Sequence, residues 1–177
     1  MRRRSADQAV PEPIMTLPND ERLLFRRATS TLRKRPTAVC FALYLASDRV
    51  LPVWPWNKDA RGFYAEHADR HHLRNPALSK PYVYYLGSHL GCGCGFLTDG
   101  SVAGTPEDEE IRQTHVQLAD YLALAARDGP AELLMTWEGE EGHLPQRAGT
   151  IHPHDVRVGN VRFREGRLYI VSRDIEA

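Results

Sequence analysis

Cys92 and Cys94 stand one residue apart in the stretch Ser88–Phe96, with Gly91, Gly93 and Gly95 around them, and the 177-residue chain has only one further cysteine, Cys40. Thiolates are soft ligands and nucleophiles, so this spacing admits three chemistries. As a metal grip it would join Cys92 and Cys94 with Cys40 and His89 in a Cys3His set for zinc, or for copper(I), which accepts two or three thiolates. In a flat strand two residues one apart in sequence lie roughly 6.6 Å apart along the backbone, so convergence on one ion requires bending, which the flanking glycines allow. The common zinc spacing leaves two to four residues between cysteines, and no second pair is present.

As a thiol site, the successive amides of a glycine-rich bend would form a nest that lowers a thiol pKa. Cys92 or Cys94 would then act as a nucleophile or redox sensor, with His89 as a neighbouring base. As plain structure, the glycines would supply a tight connection and the cysteines small buried bulk. Other residues invite chemistry less strongly. His115 falls on the apolar stripe of a helix, where a core histidine bonded to backbone is expected. His67, His71 and His72 sit in polar surroundings before Asn75-Pro76, and Glu138, Glu140 and Glu141 form an acidic turn. Trp54 and Trp56, in a proline-punctuated loop, suggest a binding lip for a protein partner.

The elements that would position these residues follow from periodicity. Residues 1–18 hold three prolines and little hydrophobic pattern, and read as a flexible basic arm; residues 19–177 read as one α+β domain. Leu24, Ala28 and Leu32 define a helix face ending at Pro36, and residues 37–48 form a strand apolar on both faces, hence central in its sheet. Cys40 is expected in its middle, buried. Residues 62–67 are a weaker strand, and 82–89 a confident one that runs into the glycine–cysteine stretch. The run from Thr105 to Gly129 has a cap, an early proline, acidic residues in its first turn and a glycine–proline stop, which specify a long helix. A strand over 131–137, a loop over 138–149, a helical turn opening at Pro153 and a hairpin around Glu165-Gly166 complete the reading. This order gives a mainly antiparallel sheet of five or six strands packed with two main helices.

Composition narrows the function classes. The chain is 42% hydrophobic and 26% charged, with 23 basic and 23 acidic residues, so no global field recruits nucleic acid. Residues 1–36 carry nine basic against four acidic side chains, but no recognised nucleic-acid motif accompanies them. No apolar run reaches the length of a membrane span, the basic start of the chain lacks the apolar stretch of a secretory leader, and an odd number of cysteines does not suit a disulfide framework, so a cytoplasmic address is expected.

The segments Cys40–Asn57, Ser79–Phe96 and Gly129–Gly142 together resemble a family of small bacterial proteins with a strand-borne cysteine and a later glycine–cysteine stretch. The resemblance implies that the three segments belong to one domain; it carries no activity, cofactor or functional residue.

Overall fold

The computed structural model of the protein describes residues 40–69, 73, 75–97 and 105–173. The basic arm, the first helix and two of the loop histidines, His71 and His72, lie outside them. Six strands form one sheet: β1 (Phe41–Ser47), β2 (Tyr64–His67), β3 (Tyr82–Gly87), β4 (Ala131–Trp137), β5 (Gln146–Ile151) and β6 (Arg167–Val171). Their spatial order is β2-β3-β1-β4-β6-β5, antiparallel throughout except for the β5–β6 pair. The fold is therefore α+β with a mainly antiparallel sheet, and β1 lies inside it, as a strand apolar on both faces requires.

Helix α1 (Pro106–Ala125) starts at a capping box in which Thr105 and Asp108 satisfy each other's backbone amides. It lays Leu118, Tyr121, Leu122 and Ala125 on one sheet face, against Leu43, Leu45, Tyr84, Leu86, Leu133 and Met135. Fully burying one such side chain stabilises the fold by about 1.5–3 kcal/mol, so this face dominates the fold's stability. His115 joins it as a core residue, its Nδ1 2.9 Å from the Ile111 carbonyl oxygen and its ring edge-on to Phe96. The other face carries Ala46, Val83, Leu134 and Leu168, covered by Leu73 and Leu78. Tyr44 and Tyr85 belong to this second face, by the two-residue alternation of their strands.

Three details depart from the sequence reading. Cys40 precedes β1 instead of occupying its middle, and is half-buried. On one side its carbonyl accepts the Glu138 amide at 2.9 Å, but β3 has already ended on the other. Residues 146–151, of which 146–149 are expected in a loop, form edge strand β5; five of its six residues are exposed, so no apolar period announced it. No hairpin forms at Glu165-Gly166, because only β6 is a strand there. The Tyr169 hydroxyl instead accepts the Arg164 amide at 3.0 Å, and the Phe163 ring packs edge-on against Tyr169. The short helix α2 (Pro153–Arg157) opens at Pro153 as its sequence indicates.

Candidate metal centre

The site forms where β1 and β3 stop pairing. Their register closes at Leu43 and Leu86, and β3 ends at Gly87. Beyond that point the chain turns through Ser88–Cys92 into a short 3-10 helix, Gly93–Phe96, that occupies the place of a partner strand beside Phe41. Ser88 ties the turn together. Its hydroxyl donates to the Cys92 carbonyl at 2.7 Å and accepts the Gly95 amide at 3.2 Å.

The glycines now have specific reasons. Gly91 has φ +76°, the left-handed region that a side chain disfavours; a Cβ there would only touch the Trp56 ring at 3.4 Å, so the backbone conformation is what asks for glycine. A Cβ on Gly93 would lie 2.7 Å from the Phe41 carbonyl oxygen, a clash with backbone that no side-chain movement relieves. Small residues are what let this turn lie against the strand end.

The consequence is convergence of all three sulfurs. The Sγ atoms of Cys40, Cys92 and Cys94 lie within 4.8 Å of one another, from segments about 50 residues apart in sequence. All three thiols are free. Two backbone amides point at the cluster: Phe41 N–H donates to Cys94 Sγ at 3.3 Å, and Cys94 N–H donates to Cys92 Sγ at 3.4 Å. Such donors stabilise negative charge on sulfur, so the cluster is prepared for thiolates once a cation compensates them.

Without a cation the site favours thiols. Burial pushes the Cys92 thiol up to about 12, and the adjacent Cys94 contributes in the same direction. Burial also raises Cys40, opposed by its hydrogen bond with Cys92 and reinforced by the charges of Cys94 and Glu138. Such thiols are poor nucleophiles at neutral pH. The nest expected to lower a thiol pKa therefore does not do so at Cys92.

His89 stands apart from the three sulfurs. It is buried, with Nδ1 3.4 Å from the Thr114 hydroxyl of α1, and its ring lies beside Gly95. Burial lowers its pKa, which favours the neutral ring. Among the described residues, the group whose ligand atoms lie close together consists of the cysteines alone.

Trp54 and Trp56 do not form one lip. Trp54 bridges Ala65 through two backbone hydrogen bonds of 2.8 and 2.9 Å and packs on Phe63 and Tyr121, on the α1 side. Trp56 leans on Tyr64 and Gly91, toward the opposite face. They remain 45% and 36% exposed, gripping the β2 edge from its two sides.

Sequence reasoning singled out the acidic turn but passed over the tyrosine hydroxyls of the second sheet face that bind it. The Tyr85 hydroxyl donates to Glu138 at 3.2 Å, the Tyr44 hydroxyl to Glu141 at 3.3 Å and the Tyr64 hydroxyl to the Gly91 carbonyl at 2.7 Å. Burial raises all three phenols, Tyr64 to about 12, so each is a hydrogen-bond donor at neutral pH. A cleft of about 320 Å³ on this face is lined by Tyr44, Ala68, Asp69, Leu73, Tyr85 and Glu141, and contains none of the cysteines. The alternation of tyrosines with apolar residues in β3 was the available signal.

Fold and site together define an α+β protein with a three-cysteine cluster at the end of a central strand. Comparison with protein-family models, curated proteins and solved structures finds no match. Among the described residues no helix is long and apolar enough to cross a membrane.

Proposed function

We propose that this protein binds a thiophilic metal ion through Cys40, Cys92 and Cys94, with zinc as the first choice and copper(I) as the second. The observation that carries the reading is the convergence of three sulfurs within 4.8 Å from two distant segments. In a tetrahedral site with zinc–sulfur bonds of about 2.3 Å, neighbouring sulfurs are roughly 3.8 Å apart. Contraction by about 1 Å or less, through side-chain torsions, is enough to close the cluster on an ion. The two amide-to-sulfur hydrogen bonds support thiolate ligation, and the raised Cys92 thiol weighs against a reactive nucleophile.

The full-length protein, purified without a histidine tag and reconstituted anaerobically, is expected to take up one equivalent of zinc or copper(I) per chain. Cys92→Ser is expected to lose at least tenfold in affinity while remaining folded. Failure of both metals to bind, together with three freely titrating thiols, refutes the proposal. A redox sensor using Cys92 and Cys94 is the second reading, favoured only by the closeness of the sulfurs; rapid alkylation of one thiol at neutral pH would promote it.

A further inference from the structure

We infer that the metal centre is an open one whose fourth ligand is the sulfur of a small external thiol, an inference that rests on the metal-binding reading above. Closed structural zinc sites use four protein ligands, whereas three protein ligands leave a position for an exchangeable group. Here the chain supplies three sulfurs, and the nearest histidine in sequence is turned toward Thr114 instead.

Exposure gives the open position a direction. Cys92 is 7% exposed and sits under the turn, while Cys40 and Cys94 are only half-buried, so the cluster is accessible on their side. Leu90 within the turn and Trp56 packed against its Gly91 are 55% and 36% exposed, so the turn that carries Cys92 presents apolar surface to solvent. Three thiolates place a net charge of −1 on a zinc centre, which makes it a weak Lewis acid toward water. A fourth soft ligand suits such a centre better than a hard oxygen.

The binding step is a ligand exchange. The thiol's S–H bond breaks, its proton passes to solvent, its sulfur forms a bond to zinc and a bound water leaves; nothing is oxidised or reduced. Zinc then holds an external thiolate at neutral pH, where the free thiol is mostly protonated. Glu138 accepts the Tyr85 hydroxyl through one carboxylate oxygen at 3.2 Å, and replacing it tests whether a carboxylate takes this position instead.

Cobalt(II) reports the number of sulfur ligands through its sulfur-to-metal charge-transfer absorption. The full-length protein loaded with cobalt is titrated with 2-mercaptoethanol, with acetate and imidazole as comparison ligands, and the experiment is repeated with Glu138→Gln and His89→Ala. The expected result is a charge-transfer band from three thiolates that grows toward a four-thiolate intensity with 2-mercaptoethanol, in both variants as in the parent, while acetate has no effect. A band indifferent to thiol, a thiol that strips the cobalt, or a parent spectrum changed by either variant overturns the inference and leaves the three-cysteine site standing. Absence of any charge-transfer band removes the metal-binding reading itself.

Discussion

The two faces of the sheet are built to different rules from the same strands. In β1, Phe41, Leu43 and Leu45 enter the aliphatic and aromatic core beneath α1, with Phe41 stacked on Trp137 at 3.7 Å between ring centres. The alternate positions, Ala42, Tyr44 and Ala46, meet tyrosines, carboxylates and a short loop instead. One face supplies stability through dry area; the other trades some of it for polar groups, each held by a hydrogen bond. Cys40 leaves the strand on this second side by the same alternation, and the glycine–cysteine turn crosses the strand end to meet it. The division of labour follows from a period of two.

The contrast breaks most readily on the dry side. Leu43→Ala is expected to cost about 2–5 kcal/mol, read as a fall in urea midpoint, while the folded fraction binds metal with unchanged stoichiometry. A cost below about 1 kcal/mol would mean that the α1 face is not the main source of stability. Gly93→Ala tests the junction between the faces. Its new Cβ meets the Phe41 carbonyl oxygen, so a loss of about 1–3 kcal/mol is expected together with loss of metal uptake. Retention of full metal affinity would show that the turn can move away from the strand without separating the sulfurs.

A pH series sharpens the contrast at the cysteines. The Cys92 thiol is pushed up to about 12 in the metal-free fold, above its unfolded value of about 8.5. Its contribution is therefore present below about pH 8.5 and is lost as the pH rises toward the folded value. Thermal melts of the metal-free protein should show an alkaline decline that is shallower in Cys92→Ser. Metal binding, which displaces thiol protons, should weaken as the pH falls. Equal alkaline slopes for the two proteins would place the decline on the tyrosines. The smallest effect is expected from Tyr44→Phe, which removes a 3.3 Å hydrogen bond to Glu141 from a partly exposed position. About 1 kcal/mol or less, with no change in metal stoichiometry, is the outcome to check by denaturation and metal analysis.

What could be read in the sequence divides along similar lines. The long helix carried its own cap, proline and stop signals, and β1, β3 and β4 carried enough apolar and aromatic residues to declare themselves. Edge strand β5 did not, because Gln146–Thr150 is exposed and its pairing comes from backbone bonds and one Arg167–Gln146 side-chain bond of 2.5 Å, neither of which leaves an apolar period. The three cysteines were visible as a set, but spacing cannot say whether Cys40 faces the turn. That depends on where β3 stops, one residue beyond its last pair with β1. His89 lies beside Gly95 as its place in sequence suggests, but the close group holds the three cysteines only, and its Nδ1 lies 3.4 Å from the Thr114 hydroxyl, a ring orientation that spacing does not encode. The glycines of the motif looked like freedom, and at Gly93 the requirement is close approach.

The Phe41 amide has a consequence of its own. It is an edge donor whose acceptor is a sulfur atom, 3.3 Å away, in place of a carbonyl from a neighbouring strand. Its proton exchange with deuterated solvent therefore registers the condition of a side chain: anything that alters Cys94 changes the label uptake of a backbone position at the tip of β1. A single amide resonance serves as a non-perturbing gauge of occupancy at the cysteine cluster.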